Sequence, residues 1–340
     1  MSKKNSNAIL KHGFKNNEHL SSIYLSLSNK LNSFKKKSFL VAVSGGPDSL
    51  ALAALIKSYT YTNKCKVYYV LVDHNIRKNS SSEAVAVKRL LKKYNIALII
   101  LKNKKPINKN IQSKAREIRY KLLTIFCKKK KINTILTAHN LEDQVETFFI
   151  RLSRGSGLQG LSSMKQINKI DNNITLARPL LEFKKENLIK VSKTIFGKYF
   201  KDPANSNSKY LRTRIRKFRQ ILEKSGISYD QIFKSIKNLA SSRDTLNIYF
   251  DKIYKEVIIR KKNQISINLK KFKNLNQEMK IRVLSNSIKV LTKSYYSTRS
   301  KKIITLIKQL EIQPSAKLTL AGCSIFKEKN HIIIKKQKKS

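Results

Sequence analysis

Four times between residues 38 and 154 a short apolar run gives way to a longer stretch of helical periodicity. SFLVAVSG (38–45) precedes SLALAALIKSYT (49–60), KVYYVLVDH (66–74) precedes SSEAVAVKRLLKKYN (81–95), ALIILK (97–102) precedes IQSKAREIRYKLLTIFCKKK (111–130), and NTILTAH (133–139) precedes LEDQVETFFIRLSR (141–154). Strands separated by whole helices pair in parallel, and near-continuous apolar strands are covered on both faces. The pattern predicts an α/β fold with helices on both sides of a parallel sheet. Ligands of such sheets bind at the carboxyl ends of the strands. SGGPDS (44–49), Asp73-His74 and Ala138-His139-Asn140 all fall there.

The flanking regions are less constrained. Ile23, Leu27, Leu31 and Phe34 recur at helical spacing, which predicts an amphipathic helix ahead of the first strand. Near LEKSGISYD (222–230) the character changes, and helical patterns dominate until β-like runs at 264–269, 317–326 and 331–336. The expected division is an N-terminal extension and helix (1–37), a catalytic α/β domain (38–222), and a mainly helical region leading to a small α+β C-terminal domain (223–340).

Composition narrows the class. With 73 basic and 20 acidic residues the net charge is +53, which points to a polyanionic partner. Abundant Lys, Asn and Ile with scarce Gly and Pro also fit the drift of an AT-rich genome, so both readings stand. Cys65, Cys127 and Cys323 form no CxxC pair, against a disulfide framework or a zinc ribbon. The basic N-terminus leads into no apolar signal core, and no window reaches the roughly 20 apolar residues of a membrane span. A cytoplasmic protein with no membrane partner is expected; an oligomer stays open.

The chain holds nine Gly and five Pro, yet two Gly and one Pro sit together in SGGPDS. Between a strand and a helix N-terminus, Gly45 and Gly46 allow close backbone approach to an anion, and Pro47 suits the first helical turn. Ser44 and Ser49 offer hydroxyls to phosphate oxygens. Asp48 fits beside a polyphosphate only with a divalent cation between them, so Mg²⁺ held by Asp48 is expected. The Walker pattern and its Lys are absent. The plainer alternative is a tight turn capped by Asp and Ser.

SGGPDS resembles the pyrophosphate loop, SGGxDS, of the ATP-pyrophosphatase (N-type, PP-loop) superfamily, which implies a Rossmann-like adenine nucleotide alpha hydrolase-like domain that binds ATP. Four further stretches, in order, are similar to the tRNA(Ile)-lysidine synthetase family. VDHNIRKNSSSEA (72–84) is similar to its VDHxLRxxSxxEA, and KAREIRY (114–120) to its AReiRY helix. AHNLEDQVETFFIRLSRGSGLQGLSSM (138–164) is similar to its AHxxDDQxET…RxxRGSGLxGLxxM signature; with the loop it contains five of the nine Gly. RPLL (178–181) and DPANSNSKYLRTRIR (202–216) are similar to its RPLL and DPxN…RNxiR. Glu142 stands where the family usually has Asp, Asn140 replaces a frequent His, and Thr213 replaces an Asn.

The resemblance implies a ligase that adenylates the wobble cytidine of a CAU-anticodon tRNA(Ile) and joins free L-lysine to it. ATP would lie on Ser44 to Ser49 with Asp73 and His74 near the adenosine. Asp143 and Glu146, three apart and on one helical face, would recognise lysine and assist catalysis with Asp48 and Arg119. The same pair also reads as a helix start, with Asn140 as N-cap and Asp143 at its third position. Arg116, His139, Arg151, Arg154, Arg212, Arg214 and Arg216 are the expected tRNA contacts, and residues 223–340 the expected C-terminal tRNA-recognition domain. Their plainer readings are surface pairing of Arg116 and Arg119 with Glu117, a satisfied loop His139, a basic helix end at Arg151 and Arg154, and a solvated basic helix at 212–216. RNA 2-thiolation on the same fold, and non-catalytic tRNA binding, are the competing functions.

Overall fold

In a computed structural model of the chain, residues 3–340 are described except 13, 16, 35–37, 77–78, 105, 108–109, 172, 201–210, 295–297, 314–315 and 338–340. The chain forms two compact units, residues 1–240 and 241–340. The division falls within a long helix, later than the change of sequence character near 222.

The first unit begins with helices α1 (Lys3–Lys11) and α2 (Glu18–Ser33). The βα alternation follows: β1 (Ser38–Val43), α3 (Pro47–Thr62), β2 (Lys66–Asp73), α4 (Ser80–Lys92), β3 (Leu98–Lys102), α5 (Ile111–Lys130), β4 (Thr134–Leu136), α6 (Leu141–Leu152) and the short α7 (Leu158–Leu161). A hairpin, β5 (Ile167–Asp171) and β6 (Ile174–Ala177), leads to α8 (Lys185–Phe196), α9 (Leu211–Lys224) and α10 (Tyr229–Val257). The sheet runs β3-β2-β1-β4-β6-β5, parallel throughout except for the edge strand β5.

Strand β1 shows why the sheet needs two layers of helix. Phe39, Val41 and Val43 point into one buried cluster with α1 to α4 and α8; Leu40 points into another with Leu123 and Cys127 of α5. Helix α3 is apolar on nearly every side, with Leu50 to Ile56 all buried, so it forms the centre of the first layer. Strand order reverses between β1 and β4, because β2 lies on one side of β1 and β4 on the other. The crevice at that switch lies between the SGGPDS loop and the 138–140 segment.

The second unit contains β7 (Ile258–Lys261), β8 (Gln264–Asn268), α11 (Leu269–Lys273), α12 (Gln277–Thr292), α13 (Ser300–Ile312), β9 (Leu318–Leu320), β10 (Cys323–Glu328) and β11 (His331–Lys336). Its antiparallel sheet, β7-β8-β11-β10-β9, packs against α12 and α13. The run at 317–326 is a tight hairpin rather than one strand: Ala321 (φ 51°) and Gly322 (φ 78°) turn the chain, and Cys323 pairs with Leu320.

Candidate active site

The SGGPDS loop is tied from within and from outside. The Ser49 hydroxyl donates to Gly46 O (3.0 Å), and Ser49 Oγ accepts from Ser44 N (3.0 Å) and Ser44 Oγ (3.1 Å). Phe200 N donates to Gly45 O (3.0 Å), fixing the turn from across the unit. Gly45 is required twice over. Its φ is +82°, and a Cβ there would lie 2.6 Å from Val87 Cγ2. Pro47 occupies the first turn of α3, whose N-cap is Gly46.

Asp48 follows, with its Oδ1 buried and lacking a hydrogen-bond partner among the described residues. Burial pushes its carboxyl up to about 7; the Lys185 ammonium opposes this, the Asp143 charge adds to it, and an Asn140 hydrogen bond opposes it. Asp48 of the β1 loop therefore meets Asn140 and Asp143, which follow β4, across the switch point. An orphaned buried carboxylate oxygen beside a phosphate-type loop suits a hard divalent cation. Among the described residues no group of three or more His, Cys, Asp or Glu could hold a metal.

Two histidines close the strand ends. The His74 ring is largely buried, and neither nitrogen has a partner among the described residues. Burial and the Arg119 charge bring its pKa down to about 4 against the opposing Asp73, so the ring is neutral at pH 7. Asp73 accepts from Asn75 N (2.9 Å) and from the Ser81 hydroxyl (2.6 Å). Burial works against its charge, but hydrogen bonds from Ser81 and Asn75 hold it below the usual carboxylate range. Asp73 thus shapes the loop that presents His74. His139 Nδ1 lies 2.9 Å from Thr137 Oγ1. Burial, then the charges of Arg178, Arg116, Arg212 and Arg119, hold its pKa well below the ordinary value. Four guanidinium charges thus act on one neutral imidazole, a setting made for an anion.

The carboxylate pair and the arginine run meet each other. Helix α6 starts with a capping box: Asp143 N donates to Asn140 Oδ1 (2.9 Å), and Asn140 N donates to Asp143 Oδ2 (3.2 Å). The other oxygen, Asp143 Oδ1, accepts from Arg212 Nη2 (3.1 Å). Glu146, 2% exposed, accepts from Arg212 Nε on Oε2 (2.5 Å) and from Arg216 Nε on Oε1 (2.5 Å). The capping and site readings of Asp143 are both realised, one oxygen each. Arg212, Arg214 and Arg216 do not act as a set. Residues 211–224 are helical, so Arg212 and Arg216 share the face toward α6 while Arg214 is exposed.

Other expected residues divide in the same way. Arg116 and Arg119 are exposed on α5; Arg116 stacks on Tyr120 (5.1 Å to the centroid), and Glu117 pairs with Lys114 (3.0 Å). Arg151 Nη1 donates to Gly160 O (2.6 Å) and Ser163 O (2.9 Å), clasping the turn after α6; Arg154 is exposed. The 202–210 part of the DPxN-like segment lies outside the described residues. Two residues near the reacting groups carried no role in the sequence reading. Arg178, the first residue of RPLL, is 4% exposed and acts on His139. Lys185 acts on Asp48, and its N–H donates to Glu142 Oε2 (2.9 Å). Of the two, only Arg178, inside a quoted motif, had a signal. Asn140, expected as the N-cap of α6, also acts on Asp48.

The fold and the loop define a class: the PP-loop domain family matches residues 18–223, and the chain uses ATP through that domain. A U34-tRNA thiolase of Methanococcus maripaludis that carries a [4Fe-4S] cluster shares the fold, with a TM-score of 0.56 at 19% identity over 65% of this chain and 78% of that one. Within the class, this chain belongs to the tRNA(Ile)-lysidine synthase family. It is 32% identical to the tRNA(Ile)-lysidine synthase of Wolbachia pipientis wMel over 91% of this chain and 73% of that one. It is also 32% identical to that of Orientia tsutsugamushi (strain Boryong), over 86% and 68% respectively.

Proposed function

We propose that the protein ligates L-lysine to C2 of the wobble cytidine, position 34, of a CAU-anticodon tRNA(Ile), releasing AMP and pyrophosphate. The observation that carries this is the junction at the switch point, where the pyrophosphate-type loop meets the part-buried Asp143 and the buried Glu146 through Asn140 and Asp48. Loop amides at Gly45 and Gly46 and the Ser44 and Ser49 hydroxyls hold the departing pyrophosphate. Asp48 holds Mg²⁺, which when bound neutralises phosphate charge. The unpartnered nitrogens of His74 meet the adenosine. Arg119, with Arg116 and Arg178, offsets charge at the α-phosphate.

In the first step cytidine O2 attacks the α-phosphorus and pyrophosphate leaves. In the second, the lysine amine attacks C2, loses a proton, and AMP leaves. The cytidine reaches the site unstacked, as bases of a single-stranded loop can be. The amine attacks as the neutral form, against a reference pKa of about 10.4, so a carboxylate of the Asp48, Asp143 and Glu146 group takes its proton. Asp143 and Glu146 reach lysine only when Arg212 and Arg216 move off them. The modified base pairs with A instead of G, so the codon read changes from AUG to AUA and identity from Met to Ile. We place the reaction in the cytoplasm; among the described residues no helix is long and apolar enough to cross a membrane.

Thiolation is disfavoured by where the cysteines lie. Cys127 is fully buried at the end of α5, and Cys65 precedes β2, both at the sheet edge opposite the loop. Cys323 belongs to the other unit. The deciding experiment incubates the protein with ATP, lysine and CAU-anticodon tRNA. AMP production that needs both lysine and tRNA is expected; AMP production indifferent to lysine overturns the reading.

A further inference from the structure

A buried phenol usually spends its hydroxyl on a hydrogen bond. Here the Tyr59 hydroxyl donates to Asn32 Oδ1 (2.7 Å), and Tyr24 Oη lies 3.2 Å from Thr62 Oγ1. Two buried tyrosine hydroxyls, those of Tyr69 and Tyr229, have no partner among the described residues. Leaving a buried hydroxyl unpaired costs free energy that Phe, with the same ring, would not. The two differ in what surrounds them. Tyr69, in β2, belongs to the large apolar cluster of the first unit, and no acid among the described residues acts on its phenol.

Tyr229, 4% exposed at the start of α10, faces charged company. It shares an apolar cluster with Leu141 and Val145 of α6, the residues that precede Glu142 and Glu146 in the chain. The Arg219 guanidinium lies over its ring (4.8 Å to the centroid), and Arg219 Nη1 is 3.6 Å from Glu142 Oε1. Arg212, Arg216 and Arg219 recur at helical spacing, so the cation over Tyr229 stands one turn of α9 from the one that holds Glu146 Oε1. Burial, then the Glu146 charge, push the phenol up to about 12 against the Arg219 charge, so it keeps its proton at pH 7. The hydroxyl is thus a donor without an acceptor, near a carboxylate whose two oxygens are taken by guanidinium groups. A carboxylate oxygen accepts two hydrogen bonds, so an oxygen that loses its guanidinium can take a phenol and an ammonium together.

On the reading that lysine binds at Asp143 and Glu146, we propose that Tyr229 is a positioning residue for it: the hydroxyl takes over the Glu146 oxygen that Arg216 releases, and holds the carboxylate in place while the lysine ammonium binds. Being neutral, the phenol steadies the carboxylate without competing for its charge as a guanidinium does.

The test is Tyr229→Phe in the full chain, alone and combined with Arg216→Met, with Tyr69→Phe as the control. Alone, Tyr229→Phe removes a hydroxyl that has no partner, so the melting temperature is expected not to fall. The KM for lysine is expected to rise about tenfold, the worth of one hydrogen bond to a charged group, while kcat changes less than about twofold. With Arg216→Met the freed oxygen already has the hydroxyl on it, so Tyr229→Phe is expected to lower the melting temperature by about 2–4 °C. Tyr69→Phe is expected to leave the KM for lysine unchanged. A melting temperature lowered by Tyr229→Phe alone shows a hydroxyl already bonded in the free protein. An unchanged KM shows one that never serves Glu146, and equal melting shifts with and without Arg216 show that the two do not share an oxygen. Each of these overturns the proposal, as does an equal rise in KM from Tyr69→Phe. The melting cycle contains neither lysine nor tRNA, so it judges the exchange of partners by itself. AMP production by the wild type judges the lysine reading by itself: indifference to lysine overturns that reading and the lysine step here, whatever the melting cycle gives.

Discussion

Arg216 Nε lies 2.5 Å from Oε1 of Glu146, a carboxylate with a side chain only 3% exposed. Arg212 holds the second oxygen of the same group. Glu146 is thus a buried charge made tolerable by two guanidinium groups that are themselves about a third exposed. Removing the acid leaves those cations facing a neutral group, so Glu146→Gln is expected to lower stability by about 2–4 kcal/mol. Urea unfolding measures it, and an unchanged midpoint contradicts the account.

Arg216 competes with any ammonium for Glu146, while Asp143 remains with Arg212. Arg216→Met keeps the aliphatic bulk and frees one carboxylate oxygen. The KM for lysine is expected to fall severalfold, with lysine-independent AMP formation unaffected. A raised KM would mean that Arg216 itself contacts the amino acid.

Asp48 makes stability depend on pH. Its carboxyl, pushed up to about 7 by burial, keeps a proton in the folded state that the unfolded chain releases near 4. Stability from this group therefore declines as pH rises from about 4 to 7 and stays low above. Asp48→Asn should abolish turnover, spare tRNA binding, and be more stable than wild type by about 1–3 kcal/mol at pH 7.5, but equal to it at pH 4. Chemical unfolding at the two pH values reads the difference, and a constant difference would contradict the burial argument.

Gly45→Ala places a methyl group 2.6 Å from Val87 Cγ2 on a backbone with φ +82°. The overlap and the backbone strain together cost about 2–4 kcal/mol. Adding Val87→Ala removes the overlap and not the strain, so the double variant should recover part of the loss. Complete recovery in thermal melts would show that the turn itself is unstrained.

Arg151 is a test of scaffold against contact. Its guanidinium clasps two carbonyl groups after α6. Arg151→Ala should cost about 1.5–3 kcal/mol of stability and leave the salt slope of tRNA binding unchanged. A slope smaller by one, without destabilisation, would assign Arg151 to the RNA.

The parallel sheet could be read in the sequence because period and length agree there: short apolar runs, each followed by a helix of ten or more residues. Helix α5 coincides with the stretch expected from its sequence, Ile111–Lys130. The hairpin β5–β6 escaped notice because INKID and ITLA are short and half polar. Helix α8 escaped because its cap, Lys184, has no capping side chain. At the site, the loop was marked by its place between strand and helix, and Asp143 and Glu146 by the resemblance of 138–164 more than by their spacing, which reads equally as a helix start. The partnership of Asp143 and Glu146 with Arg212 and Arg216 was not, because it joins residues 69 and 70 positions apart. Reading 212–216 as an alternating run hid it as well; the helical turn separates Arg214 from its neighbours.

That separation also sets an order of events during synthesis. The acids of α6 leave the ribosome well before the arginines of α9. Until residues 212–216 are free of the exit tunnel, the nascent chain has the means to build the sheet and bury Glu146, and neither Arg212 nor Arg216 to place against it. A lysine side chain or a cellular polyamine is chemically equipped to fill the gap in that interval. Helix α9 is therefore the element that settles the charge of Asp143 and Glu146.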